Sequence, residues 1–336
     1  MSITAKELAA MLGLSESAVS LALNNKPGVS RATRQRVIDA AKEYGFDFTR
    51  KGVAAMGKKG TVCFVIYKKS GAVVGDTPFF STLTDGISMG CRRMRYDCVV
   101  RYLYEDDDIG DQIYTLGTQQ FAGIILLATE IDETTLKRFS QVGAPMVVLD
   151  AYFEKLDFNF VLINNIQGAF MATEYLIKKR HSQPGYLRSD YWISNFDQRA
   201  DGFYKAIRAG GMSTAKSQVL RLTPSQEGAY EDMKRLLSAG EKPADCYFAD
   251  NDLIAFGAMM ALKEAGYRIP EDVAVVGFDD MPACEYMNPP LSTIVVPKLF
   301  MGETAAMRLI QLIEGTGSQQ PLKIEVSTKL VKRKSV

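Results

Sequence analysis

Residues 3–46, ITAKELAAMLGLSESAVSLALNNKPGVSRATRQRVIDAAKEYGF, decide the fold of the amino-terminal part. Thr4 followed by Glu7 makes a capping box, after which Ala5, Leu8, Ala9 and Leu12 recur at helical spacing. Gly13 stops that helix and Leu14 plugs the turn. Ser15 caps a second helix, Glu16 to Leu23, with Ala18, Val19 and Ala22 on one face. Residues 24–28, NNKPG, are loop by composition. Ser30 then caps a third helix with Val37, Ala41 and Tyr44 along its inner stripe. A short helix, a tight turn containing Gly and a second short helix is helix-turn-helix spacing. A generic three-helix bundle or a protein-docking module has the same spacing.

What these helices present favours DNA. The second helix is short enough to lie in a major groove, with Glu16, Ser17, Ser20 and Leu21 turned to base edges and Ser15 at its mouth. Lys6, Asn24, Ser30, Thr33 and Arg34 are placed to hold phosphates. Residues 1–60 carry ten basic and five acidic side chains, although the whole chain balances 40 Lys+Arg against 39 Asp+Glu. The cationic excess is therefore concentrated at one end, as an anionic polymer gripped by a small head requires.

Working outward, 336 residues at 47% hydrophobic predict two or three domains with sizeable cores. No run approaches a membrane span and the amino terminus lacks a signal-peptide core, so a cytoplasmic protein is expected, with no membrane partner. The five cysteines form no C-x-x-C pair, and His181 is the single histidine. No metal site, disulfide framework, cofactor or Ser-His-Asp chemistry is expected. From residue 61 short β-rich runs (61–67, 98–103, 122–127, 146–149, 160–163, 185–189, 217–221, 245–249, 273–277 and 293–296) alternate with helical ones (80–95, 167–180, 200–209, 228–239, 252–265 and 298–314). That alternation predicts an α/β fold of doubly wound parallel sheets, divided into two lobes with a ligand cleft at the strand carboxyl ends.

The amino-terminal run, above all LNNKPGVS and the following T-R-x-R-V, resembles the DNA-binding head of the lac repressor (LacI/GalR) family of transcription regulators. TPFFSTLTDGI near 77–87, NFDQRADGF at 195–203 and GFDDMPACEYMNPPLSTIVVP at 277–297 extend the resemblance over nearly the whole chain. It implies a helix-turn-helix domain over 1–46, a hinge over 47–60 and a periplasmic-binding-protein-like effector-binding and dimerisation domain over 61–332. The lobes would be about 61–161 with 293–322, and about 162–292 with 323–332. In such a hinge Met56, or next Val53, would wedge into the minor groove. The head departs from the family at Leu21, where many members carry Arg, and the hinge departs at Phe48-Thr49 in place of Pro-Asn.

The resemblance also implies effector contacts. Asp279 follows the strand VAVVGF, Arg199 opens R-A-D-G-F, Asn251 belongs to an N-D pair, and Asn164 lies at the first crossover. Phe79 and Phe80 fall where members present an aromatic platform, Phe80 reading more as core. A homodimeric repressor is thus expected, reading a palindromic double-stranded operator and controlled by a small molecule, with a sugar as first expectation. Two alternatives stand beside it: a sugar-binding protein that does not bind DNA, and an enzyme using Asp250, Asp252, Asp279 and Asp280 as a metal or acid–base cluster. Against an enzyme, the chain has no G-x-G-x-x-G after its first strand, no P-loop and no G-x-S-x-G turn.

Overall fold

The computed structural model describes residues 3–23, 28–44, 58–75 and 78–336. The chain divides into two compact units at Lys59/Gly60. In the first, α1 (Ala5–Leu12), α2 (Glu16–Leu23) and α3 (Arg31–Glu43) close on Leu8, Ala9, Val19, Ala22, Val37, Ala40 and Ala41. The caps are those the sequence asks for. Thr4 Oγ1 accepts the Glu7 N–H at 3.3 Å while the Glu7 carboxylate accepts the Thr4 N–H at 2.7 Å. Gly13 ends α1 at φ 63°, a left-handed position that suits glycine. Ser15 and Ser30 accept the N–H groups of Ala18 and Thr33, each at 3.1 Å. Arg36 donates to the Leu12 carbonyl at 2.8 Å and so ties α3 to the open end of α1. Tyr44 is not on the inner stripe: it lies just past the last turn of α3, is 46% exposed, and Ala40 fills the core position instead. Asn24 and residues 47–57 of the hinge, with Val53 and Met56, lie outside the described residues.

The second unit holds two six-stranded sheets. Its first part runs β1 (Gly60–Lys68), α4 (Pro78–Arg93), β2 (Tyr96–Tyr104), α5 (Ile109–Thr118), β3 (Gly123–Leu127), α6 (Glu133–Arg138), β4 (Met146–Leu149) and β5 (Asn159–Ile163). There follow α7 (Asn165–Arg180), β6 (Gly185–Ser189), α8 (Ser194–Ala209), β7 (Val219–Leu222), α9 (Gln226–Ser238), β8 (Cys246–Ala249), α10 (Asp252–Glu264), β9 (Ala274–Asp279) and β10 (Ser292–Val295). The chain ends with α11 (Lys298–Glu314), β11 (Lys323–Val326) and β12 (Lys329–Val331). The strand orders are β11-β5-β4-β3-β1-β2 and β12-β10-β9-β8-β6-β7, parallel throughout except for β10 against β12. β3 and β4 are buried at every position, which is why they read as unbroken apolar runs.

The crossings between lobes differ from the expected ones at both later joints. Ser292–Val295 pair with Val276–Asp279, so β10 belongs to the second lobe's sheet and not to a first-lobe segment beginning at 293. Lys323–Val326 pair with Phe160–Ile163, so β11 closes the edge of the first sheet and not the second. The chain therefore crosses after Ile163, at 296–297 and at 327–328. The reason is backbone pairing at sheet edges, where a short, half-polar strand such as K-I-E-V carries little periodic signal. Helix α11 then packs on α4 at van der Waals range: a Cβ on Gly86 would stand 2.1 Å from the Leu299 carbonyl oxygen, and one on Gly302 2.3 Å from that of Leu83.

Both sheets share one winding, with switch points between β1 and β3 and between β6 and β8. Ligands of such sheets bind beyond the strand carboxyl ends beside those points. Among the described residues, no helix is long and apolar enough to cross a membrane.

Candidate functional site

In the head, Lys6, Ser15, Glu16, Ser17, Ser20 and Ser30 are exposed, while Thr33 and Arg34 are half-buried. Leu21 is half-buried as well, its Cδ1 3.0 Å from where a Cβ on Gly28 would stand. The amino-terminal end of α2 thus offers Glu16, Ser17 and Ser20 as one open polar face.

In the body, strand ends from both lobes meet at one cleft. Thr129 follows β3, Asp150 follows β4, Asn251 follows β8 and Asp279 ends β9, while α8 brings Asn195 and Arg199. Asp150 and Asp279 have φ of 63° and 111°, left-handed positions that cost a non-glycine residue about 1–3 kcal/mol each and cluster at functional sites. Arg199 is buried. Its Nε donates to Asn165 Oδ1 at 2.9 Å, its Nη1 to the Asp250 carbonyl and its Nη2 to Asp279 Oδ1 at 3.3 Å. The guanidinium carbon lies 3.8 Å from the centre of the Phe278 ring. Arg199 is therefore no surface ion pair but the hub of the cleft.

Across the lobes, Asn195 Nδ2 donates to both the carbonyl and Oδ1 of Asp150 at 3.1 Å, and Thr129 Oγ1 donates to Asp150 Oδ2 at 2.7 Å. Asn165 Nδ2 joins the network through Asn195 Oδ1 at 3.1 Å. The cavity between these groups measures about 40 Å³. Small-molecule sites occupy roughly 300–1,000 Å³, well above this volume.

Of the expected contacts, Phe79, Phe80, Arg199, Asn251 and Asp279 line this cavity. Phe79 is also core, 8% exposed, with the half-buried Phe80 ring edge-to-face at 5.0 Å. Asn251 caps α10 as well, accepting the Ile254 N–H at 2.8 Å. Asn164 does not reach the cavity: it caps α7, its Oδ1 accepting the Gln167 N–H at 3.0 Å, and its neighbour Asn165 enters the network instead. The reading of residues had missed Asp150, Asn195 and Thr129. Asp150 follows a buried run, MVVL, as Asp279 follows AVVGF, and Asn195 precedes Arg199 by one helical turn; both signals were present.

Three of the aspartates of the enzyme alternative are engaged by separate partners, although Asp252 lies near enough to Asp279 to be repelled by it. Asp250 accepts from Tyr186 and from the Ser189 N–H, whereas Asp252 accepts from Thr293, Cys284 and the Met281 N–H. Asp280 pairs with Arg333 at 2.8 Å.

Burial lifts the carboxyls of Asp150, Asp250, Asp252 and Asp279. It pushes Asp150 up to about 6, with the Thr129 bond and Arg199 opposing it. It pushes Asp250 up to about 6 against the Tyr186 and Ser189 bonds. It pushes Asp252 up to about 7, with repulsion from Asp279 adding to the rise. A carboxyl that keeps its proton longer in the fold than in the unfolded chain costs the fold stability over the pH range where the unfolded chain has ionised and the fold has not. Stability is therefore expected to fall as pH rises from about 4, where the unfolded chain ionises, to about 7, where Asp252 ionises in the fold, last of these three. Thermal melts of the full chain across that range check this, with Asp252→Asn flattening the upper part; a level profile would contradict it.

Glu130 is buried and behaves in the opposite way. Burial raises its pKa, but five backbone N–H groups, from Lys69, Ser70, Gly71, Val73 and Val74 at 2.7–3.1 Å, outweigh that and hold the carboxyl below its usual range. This carboxylate fixes the loop that carries Val73 into the cleft wall. Glu130→Gln, which loses the charge on every one of these bonds, is expected to lower stability by about 2 kcal/mol in urea unfolding.

A helix-turn-helix head joined to a two-lobed body with a polar cleft at its strand ends defines a DNA-binding transcription regulator. Residues 4–47 match the family described as bacterial regulatory proteins, lacI family, and residues 173–336 match a periplasmic binding protein-like domain. The chain is 30% identical over 339 residues to the HTH-type transcriptional repressor PurR of Mannheimia succiniciproducens, covering 99% of this chain and 98% of that protein. The transcriptional regulator CelR in its cellobiose complex superposes with a TM-score of 0.75 at 26% identity, covering 99% of this chain and all of that one. A LacI family regulator of Enterococcus faecium with bound ribose gives 0.69 at 25% identity over 82% of this chain and 98% of that one. The chain belongs to the lacI family of bacterial regulatory proteins.

Proposed function

We propose that this chain is a homodimeric repressor that binds a palindromic operator and is controlled by a sugar held between its lobes. The reading rests on one observation: the carboxylates of Asp150 and Asp279 stand in a cleft around the Arg199 guanidinium, flanked by Asn195 and Asn251. Carboxylates accept from neighbouring hydroxyls and guanidinium donates to hydroxyl or ring oxygens, which together satisfy a polyol. Two acids to one base also disfavour an anionic effector. Phe79 and Phe80 would supply the apolar face. The relatives named PurR favour a second reading, a purine effector, which Asp279 and the same aromatic pair would also serve.

In this reading the domains are 1–46, 47–60 and 61–332. Glu16, Ser17, Ser20 and Leu21 meet base edges beside Ser15; Lys6, Asn24, Ser30, Thr33 and Arg34 hold phosphates; and Met56 enters the minor groove. A second copy suits the exposed apolar side chains of the edge strand β2, where Val99, Val100, Tyr102 and Tyr104 are 36–50% exposed, and Tyr286 in the second lobe. Two-fold assembly would present two α2 helices to two half-sites.

The test is a gel shift with the DNA upstream of the chain's own and neighbouring genes, combined with a thermal-shift screen of sugars and nucleobases. A shift that a sugar abolishes or strengthens supports the reading. A response to nucleobases alone would favour the purine reading, and no shift at low salt with folded protein would sink both.

A further inference from the structure

Lys298 is the first residue of α11, immediately after the second crossing between lobes. The first turn of a helix disfavours a cation, and this one contains no acidic residue to offset it. The side chain is half-buried and turns back over the joint. Its Nζ donates to the carbonyl of Asp279, lies 3.4 Å from the carbonyl of Asp280, and stands 5.5 Å from the centre of the Phe79 ring. These partners come from both lobes: Phe79 from α4 of the first, Asp279 and Asp280 from the end of β9 in the second.

Asp279 and Asp280 are consecutive non-glycine residues at φ 111° and 50°. Such a pair persists only where its surroundings hold it. Arg199 grips the Asp279 carboxylate from α8, but a side-chain contact does not by itself fix the peptide planes. The ammonium, with three donors and no acceptor, lies close to both carbonyl oxygens.

We propose that Lys298 is a positioning residue for the effector site: by gripping the Asp279 and Asp280 carbonyls across the joint it fixes the left-handed backbone that aims the Asp279 carboxylate into the cleft. The proposal rests on the reading of the cleft as the effector site. Because α11 is packed backbone to backbone on α4, parting of the lobes draws the ammonium away from these carbonyls. The aim of Asp279 and closure of the cleft are thereby one event. The charged groups that face Asp279 are Arg199 from α8, Lys298 from α11, Asp150 from the first lobe and Asp252 from α10. Burial raises the Asp279 pKa, and Arg199 and Lys298 oppose that rise.

The test uses the full chain without effector, so its failure is separate from failure of the sugar reading. Aspartate carboxyl carbons are labelled with ¹³C, the Asp279 resonance is identified by its loss in Asp279→Asn, and its titration is followed together with hydrogen exchange of the 279–281 amides. Lys298→Met is expected to move the Asp279 midpoint upward and to speed that exchange at least tenfold, and Lys298→Arg to restore both. Lys298→Gln, which keeps a donor without the charge, should move the midpoint while leaving exchange nearly as in the parent chain, and it serves if the Met variant does not fold. A folded Met or Gln variant with an unmoved midpoint overturns the proposal, as does unchanged exchange in a folded Met variant.

Discussion

A chain beginning at Gly60 is expected to fold, to keep its effector affinity and to lose operator binding altogether. The body carries its own cores on both faces of both sheets, built, among the described residues, from the body alone. The head in turn closes on its own small core and its own caps. It also holds the chain's basic excess, five positive charges over residues 1–60. Removing it takes away both the phosphate contacts and the side chains that face base edges. Specific DNA affinity typically exceeds non-specific affinity by about 10³–10⁷, and the truncated body would retain neither. Circular dichroism and calorimetry with a sugar that the full chain binds establish the fold and the affinity, and a gel shift reads the loss. An insoluble or unfolded product would show that the division at Lys59 is misplaced.

The second large effect is expected at Arg199. Replacement by Met removes one partner of a buried ion pair and leaves the Asp279 carboxylate, the Asp250 carbonyl and Asn165 Oδ1 short of a donor. Breaking a buried pair in this way costs about 3–5 kcal/mol, because the remaining charge stays buried. Urea unfolding of the body reads that loss directly. Where enough folded protein survives, its affinity for a sugar that the parent chain binds is expected to fall at least about a hundredfold, since charge-assisted bonds are the strong ones. Arg199→Lys separates charge from geometry. An ammonium keeps the charge but cannot span three acceptors in one plane, so it should recover part of the stability and little of the affinity. Full affinity in the Lys variant would mean that Arg199 serves the fold alone.

Much of the fold was legible because its signals are short-range. The capping box of Thr4 and Glu7, the stop at Gly13 and the serine caps involve partners within four residues, and each appears where the sequence places it. The buried strands were equally plain, since a parallel sheet covered on both faces needs apolar side chains at every position. Asp279 stood out because it ends such a run.

The cleft between the lobes was only partly legible. Asn164 and Asn165 are adjacent asparagines at one joint. Which of them caps α7 and which meets Arg199 depends on the direction of the helix and on α8 packed beside it. Asp150 and Asn195 are 45 residues apart in sequence, and Arg199 and Asp279 are 80 apart. Whether β10 and β11 join one sheet or the other is likewise a matter of distant pairing partners.

By itself, the sequence determined the helices of the head, the alternation of strands and helices, and two of the polar residues at the strand ends, Asn251 and Asp279, because propensity, caps and periodicity act between near neighbours. Only the tertiary structure decided which polar residues face one another across the lobes, that the cleft stands closed, and that Lys298 reaches back over the joint. Those outcomes depend on contacts between segments far apart in the chain, which no local pattern records.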